Sequence, residues 1–258
     1  MQVIEQDLDS NGILTLTLNR PDKLNALNSE VLHALSEILS HAKKDPKVKA
    51  LLLTGSGKAF CAGADISRLA ECDAQSGYQF ACDGQAVFQQ LEQLGKPSLA
   101  AVNGFAFGGG CELALSATLR IAAREAQFGQ PEVKLGVIPG YGGTQRLARL
   151  IGKGRAMDLC LTGRFIHAET ALNWGLVSAV VDKAQLIAES KSILEGILSM
   201  APLAIQSTME VIHHGYDLSL SDALHLEAVH FAKVCATLDK KEGVAAFLEK
   251  RPAAFKGQ

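Results

Sequence analysis

Apolar residues in this chain follow two rhythms, and the second takes over completely toward the C-terminus. Residues 13–18, Ile-Leu-Thr-Leu-Thr-Leu, alternate with the period of a strand. Arg20-Pro21-Asp22-Lys23 breaks it. From Asn28 the spacing becomes helical: Val31, Leu32, Leu35, Ile38, Leu39 and Ala42 share one face, and Asn28 or Ser29 can cap the start. The apolar runs at 50–54 and 99–102 are short enough to be buried strands. Between them, Phe80, Val87, Phe88, Leu91 and Leu94 predict a helix over 76–94. A helix is expected from Cys111 to Ala117, then two close strands at 120–123 and 127–128. Helices near 143–151, 153–161 and 168–174 lead to a strand over 176–181.

Beyond residue 183 strand signals stop. Residues 187–200, 202–213, 220–234 and 240–250 all read as helices. The chain is thus expected to be α/β first and all-helical at its end. No exact internal repeat is visible, although the strand–strand–helix cadence suits a degenerate structural one.

Composition narrows the function classes. The 258 residues, 48% apolar, suffice for one large or two small domains with a substantial core. Lys+Arg total 25 and Asp+Glu 27, which speaks against nucleic-acid binding by bulk charge and against a basic membrane-surface protein. No apolar run approaches the ~18–20 residues of a membrane span. The acidic start, Met1-Gln2-Val3-Ile4-Glu5-Gln6-Asp7, does not read as a leader peptide. The six cysteines, at 61, 72, 82, 111, 160 and 235, form no CxxC pair; reduced thiols and a cytoplasmic location are expected. His225 and His230 lie five apart, not the four of a zinc helix, so no metal site is expected.

Three segments could carry chemistry. In Lys58-Ala-Phe-Cys-Ala-Gly-Ala-Asp-Ile66, small residues at 62–64 permit close backbone approach, and Asp65 can cap a helix over 67–71. Backbone N–H groups ahead of such a helix suit an anionic oxygen, though a plain strand-to-helix turn explains the pattern equally well. Lys58 completes no phosphate-binding loop, because position 52 is Leu and 59 is Ala. In the second segment a buried strand runs into Gly108-Gly109-Gly110 and a helix. A dinucleotide fingerprint fails at Leu113; the glycines instead suit an exposed N–H at the helix N-terminus. Glu112 stands in that helix's first turn, where the macrodipole alone would favour it. In the third segment, Pro131 and Glu132 look like ordinary helix-start chemistry, as does the glycine-rich stretch 140–143.

Taken together and in this order, the segments resemble the enoyl-CoA hydratase/isomerase (crotonase) superfamily. The resemblance spans nearly the whole chain: Asn19-Arg-Pro-Asp-Lys-Leu-Asn-Ala-Leu27, Ala59-Phe-Cys-Ala-Gly-Ala-Asp-Ile66, the 100–113 signature, Gln127-Phe-Gly-Gln-Pro-Glu132, Pro139-Gly-Tyr-Gly-Gly143, Thr144-Gln-Arg146 and Glu242–Lys250. It implies a crotonase-type spiral of ββα units over 1–195. Over 196–258 it implies a helical oligomerisation segment that builds homotrimers or homohexamers (dimers of trimers). The family's oxyanion-hole donors fall on the N–H groups of Ala64 and Gly109, and its paired catalytic glutamates on Glu112 and Glu132. Gln130 and Gly140 match supports behind the glutamates. Leu24, Ala26, Ala62, Asp65 and Ile66, with Ala64 and Gly109, match the lining of the CoA path, and Phe255 and Lys256 a pair reaching a neighbouring subunit's CoA. The implied reaction is syn addition of water to a trans-2-enoyl-CoA, with no cofactor beyond the CoA of the substrate. Family isomerases generally keep only the carboxylate corresponding to Glu132, so the pair favours hydration. Isomerisation or another acyl-CoA reaction, and non-catalytic CoA-thioester binding, are the alternatives.

Overall fold

The structure, a computed structural model, describes residues 2–258, apart from the Arg68 side chain. It divides into two compact units, Met1–Ser192 and Ile193–Gln258.

The first unit opens with β1 (Ile4–Leu8) paired antiparallel to β2 (Ile13–Leu18), followed by α1 (Ser29–Lys44). Asn28 caps α1 by accepting the Val31 N–H at 2.9 Å, and all six residues of the apolar face read from the sequence are buried. A repeating path then begins. β3 (Ala50–Gly55) and β4 (Ala59–Cys61) precede α2 (Ile66–Leu69) and α3 (Ala74–Glu92). β5 (Ser98–Val102) and β6 (Phe105–Phe107) precede α4 (Gly109–Ser116). β7 (Leu119–Ala123) and β8 (Gln127–Gly129) precede α5 (Gly143–Ile151) and α6 (Lys153–Thr162). β9 (Phe165–His167), α7 (Ala168–Asn173) and β10 (Ala179–Val181) finish the sheets.

Each turn of this path gives one strand to each of two sheets. The larger has the order β1-β2-β3-β5-β7-β10 and the smaller β4-β6-β8-β9. Within each turn both strands continue parallel ladders, which is the ββα spiral. β3 and β5 are buried along their whole length, as parallel strands covered on both faces must be.

The structure refines several boundaries. The strand expected over 176–181 is only Ala179–Val181; Leu176 is buried in a turn instead, its N–H on the Ala171 carbonyl at 2.8 Å. The helix after Asp65 is Ile66–Leu69 rather than 67–71. β4, β6 and β9 have three residues each, too few to show a period.

α8 (Leu186–Leu198) runs along the chain from the first unit into the second. The second unit also holds α9 (Pro202–Gly215), α10 (Leu220–Cys235) and α11 (Leu238–Glu249). Its C-terminal tail is held by Asp239, whose carboxylate accepts the N–H groups of Lys256 and Gly257, both at 2.7 Å. Among the described residues no helix is long and apolar enough to cross a membrane.

Candidate active site

Segments far apart in sequence meet because β4, β6 and β8 are parallel neighbours. Phe105 registers with Ala59 and with Gln127, and Phe107 with Gly129. Their carboxyl ends therefore deliver Ala62–Ala64, Gly108–Gly109 and Gln130–Glu132 side by side, where open α/β folds place ligands. The Gly108 N–H ties β6 to β8 by donating to the Gly129 carbonyl at 2.9 Å. Two glycines permit the close approach. A Cβ on Gly110 would collide with the Cys61 carbonyl, so α4 can start directly against the end of β4 only with glycine there. Gly108, at φ 49°, would place a Cβ 2.6 Å from Glu132 Oε1.

Two backbone donors face the space between these ends. A methyl on Gly109 would stand 3.2 Å from the Ala64 nitrogen, so the two N–H groups are neighbours. Gly109 is the first residue of α4 and has no intrahelical acceptor. Among the described residues neither N–H donates to a protein acceptor. A paired donor site at the positive end of a helix can receive a negatively charged oxygen.

The two glutamates lie behind them. Glu112 is buried, and its Oε1 accepts the N–H groups of Gly143 at 2.7 Å and Tyr141 at 2.8 Å. Burial, then the Glu132 charge, pushes its carboxyl up to about 7, against those two hydrogen bonds and the Arg146 charge. The expected lowering by the α4 dipole is thus overcome by desolvation and like charge. Glu132 opens a 3₁₀ turn, Glu132–Leu135, after Pro131, and burial pushes its carboxyl up to about 7 as well. The buried Gln130 carboxamide, with its nitrogen toward Glu132, donates to Oε1 at 3.1 Å and Oε2 at 3.2 Å. A carboxamide suits either state of its partner, since its nitrogen serves a carboxylate and its oxygen a carboxylic acid.

The remaining sequence-predicted residues gather along one rim. The Ala62 N–H donates to Leu24 at 3.0 Å, Leu27 to Gly63 at 2.8 Å and Asp65 to Leu27 at 2.9 Å, so the 24–27 loop zips onto 62–65. Leu24 and Asn25 take left-handed conformations, φ 48° and 59°. The Asn25 side chain holds that strained loop, accepting the Arg20 N–H at 2.9 Å and donating to the carbonyls of Ala59 at 2.8 Å and Ser56 at 3.0 Å. Ala26 lies in the same loop, and Leu24 and Ile66 are exposed on the rim. Asp65 accepts from the Ser67 hydroxyl and N–H and faces Arg20 at 3.9 Å. The Gly140 carbonyl accepts from Gln85 at 2.8 Å, while the N–H groups of Tyr141 and Gly143, just after it, hold Glu112. Phe255 and Lys256 belong to the second unit, where the Phe255 ring lies against Gly243.

Sequence reasoning missed the Tyr141 and Gly143 donors and the brace behind them. Arg146 pairs with Glu92 at 2.8 Å and donates to the Tyr141 carbonyl at 2.9 Å, fixing the loop that grips Glu112. The helix expected from 143 was the available signal, since a helix start offers unpaired N–H groups.

The sequence profile of the enoyl-CoA hydratase/isomerase family matches residues 9–258. A short-chain-enoyl-CoA hydratase of Clostridium acetobutylicum is 45% identical over 95% of this chain and 94% of its own length. A crotonyl-CoA hydratase of Syntrophomonas wolfei is 46% identical, covering 94% of each. The crystal structure of an enoyl-CoA hydratase from Bacillus anthracis superposes with a TM-score of 0.95 at 39% identity, covering 100% of both chains. A match this complete, on a spiral whose strand ends present the same segments the sequence singled out, leaves one assignment: this chain belongs to the enoyl-CoA hydratase/isomerase family.

Proposed function

We propose that the protein is an enoyl-CoA hydratase that adds water syn across the double bond of a trans-2-enoyl-CoA, giving the 3-hydroxyacyl-CoA. The observation that carries this reading is the pairing of two unengaged N–H groups with two carboxyls, Glu112 buried and Glu132 half-buried, whose pKa values are raised to about 7. Attack at C3 drives negative charge onto the thioester oxygen, and the Ala64 and Gly109 N–H groups stabilise it where it develops. Water must lose a proton while C2 gains one. Glu112, fixed by the Tyr141 and Gly143 donors, positions and deprotonates the water; Glu132 delivers the proton to C2. Near neutral pH a coupled pair of this kind shares a proton, so one member can give while the other takes.

Every proton and charge in this scheme is handled by the chain's own groups, and CoA enters as part of the substrate along Leu24, Ala26, Ala62, Asp65 and Ile66. The protein works as a homotrimer or a dimer of trimers, with Phe255 and Lys256 reaching a neighbour's CoA. The apolar side chains left exposed on the second unit support an assembly. Six free cysteines support a reducing, cytoplasmic setting.

Loss of the conjugated-enoyl absorbance of crotonyl-CoA, with 3-hydroxybutyryl-CoA as product, tests the reaction. Glu112→Gln and Glu132→Gln should each lower kcat by at least ~10², with KM moving less. Conversion of 3-enoyl-CoA to 2-enoyl-CoA without hydration would replace this reading by isomerisation. A glutamine variant within a few-fold of wild type would remove the paired-carboxylate mechanism.

A further inference from the structure

Tyr141 enters the site twice. Its N–H holds Glu112, while its side chain, only 1% exposed, runs the other way. A methyl on Gly109 would stand 3.3 Å from Tyr141 Cδ2, so the ring begins beside the Gly109 donor. Its other edge lies on Gly84, in the middle of α3, where any Cβ would overlap the ring. Glycine is a poor helix former, and the ring gives it a reason to be there. Phe80 flanks the ring with centroids 5.1 Å apart, and Phe88 meets it edge-on at 5.5 Å.

These rings bound a small space. A cavity of about 220 Å³ is walled by Tyr141, Phe80, Leu27 and Leu32, with Asp65 and Ser67 among its polar residues. Leu27 and Tyr141 are also the side chains flanking the Gly109 α-carbon, so two walls of the cavity stand beside the residue that supplies one oxyanion donor. Its volume is below the roughly 300–1,000 Å³ typical of pockets for drug-sized ligands.

We propose that the Tyr141 side chain, seated on Gly84 and flanked by Phe80, is the chain-length stop of the acyl compartment, admitting crotonyl-sized groups and excluding medium-chain ones. This rests on the hydratase reading for the identity of the thioester. The ring acts by volume, so its hydroxyl is not required and its shortening extends the compartment toward α3.

The test compares wild type with Tyr141→Phe, Tyr141→Leu and Tyr141→Ala. Two measurements are made: hydration of crotonyl-CoA and trans-2-octenoyl-CoA, and calorimetric affinity for saturated butanoyl-CoA and octanoyl-CoA. Wild type should prefer the shorter substrate by ~10-fold or more in kcat/KM, a scale set by steric discrimination in apolar pockets. Leu and Ala should raise the octenoyl-to-crotonyl ratio by ~10-fold or more, in that order, and Phe should keep the wild-type ratio. The affinity ratios should follow. Leu keeps the test alive where Ala fails to fold. Hydration with a ratio unmoved by Leu, or moved as far by Phe as by Leu, overturns the proposal and leaves the hydratase reading standing. Length-selective binding that shifts as expected, without hydration in wild type, does the reverse. Failure to bind either saturated thioester overturns both.

Discussion

The two units of this chain treat their apolar residues in opposite ways. The first buries a continuous core between its sheets and helices, including Leu14, Leu16, Leu51, Leu53, Phe60, Phe88 and Phe128, and it supplies every group of the proposed reaction centre. In the second, α10 buries no residue fully, while Leu220, Phe231, Phe247 and Leu248 stand 68–83% exposed. Amphipathic helices gain most of their stability by covering an apolar face, and large uncovered apolar side chains mark interaction surfaces. The first unit covers its apolar residues within the chain, and the second leaves many of them open. Damage to the first should therefore abolish chemistry without changing mass, and damage to the second should change mass first.

The largest effect expected is on chemistry. Gly109→Pro removes one donor and leaves the fold a route to persist, because proline suits the first residue of a helix, where no intrahelical N–H bond is lost. The expected loss in kcat is ~10²–10³ or more, about 3–4 kcal/mol of transition-state stabilisation. Gly109→Ala keeps the N–H and serves as the steric control, its methyl only 3.2 Å from the Ala64 nitrogen. Affinity for a saturated acyl-CoA should fall less than kcat, because the donor matters most once charge has developed. An unchanged kcat, with affinity and kcat/KM falling equally, would reduce Gly109 to a lining residue and end the claim that the first unit stabilises the transition state there. Sedimentation should show the wild-type mass.

A smaller effect on turnover, but a direct one on mass, is expected from the other unit. Phe231→Asp and Phe247→Asp place a charge on exposed helical positions, so the individual chain has little packing to lose. Sedimentation should fall from three or six chains toward one. If Phe255 and Lys256 serve a neighbour's CoA, KM should rise several-fold while kcat at saturation changes less. Undiminished mass in both variants would show that these apolar faces are not what holds the assembly together.

The same contrast explains what could be read from sequence. Long elements carry their own pattern: all six apolar positions of α1 and the whole of β2 were legible because burial repeats over several turns or alternations. β4, β6 and β9 were not, since three residues show no period, and these strands exist through pairing with partners 22–46 positions away. Glu112, Glu132, Ala64 and Gly109 emerged through family resemblance; composition alone gave Glu112 no role beyond a dipole-favoured acid. The groups gripping Glu112 stayed hidden because they are backbone N–H groups, which carry no residue signature, and Gly140 was expected where Tyr141 and Gly143 do the holding. The sign of the Glu112 shift depended on how deeply α4 is buried, which only the packed fold reveals.

The smallest expected effect concerns stability against pH, and it takes opposite signs in the two units. Glu132 has its carboxyl raised from the ordinary 4.5 to about 7 by burial. The folded state therefore binds more protons than the unfolded one between those values, and stability falls as pH rises through that window. The cost is absent well below 4.5 and complete above about 7. Glu132→Gln abolishes it and also lifts the Glu132 charge from Glu112. In the second unit, Glu242 is held down to about 2 by Arg251, first through their side-chain hydrogen bond, and its contribution has the other sign. It is present above the ordinary 4.5 and lost only as pH falls toward about 2. Thermal unfolding at pH 5 and pH 8 separates the cases. Glu132→Gln should raise Tm relative to wild type by a few degrees more at pH 8 than at pH 5, where most of the carboxyl is still protonated, using ~2–4 °C per kcal/mol for a unit of this size. Glu242→Gln should lower Tm slightly and equally at both, because neither pH enters its window. Equal Tm shifts for Glu132→Gln at the two pH values would mean that its carboxyl titrates as if in water, and the shared-proton basis of the reaction would go with it.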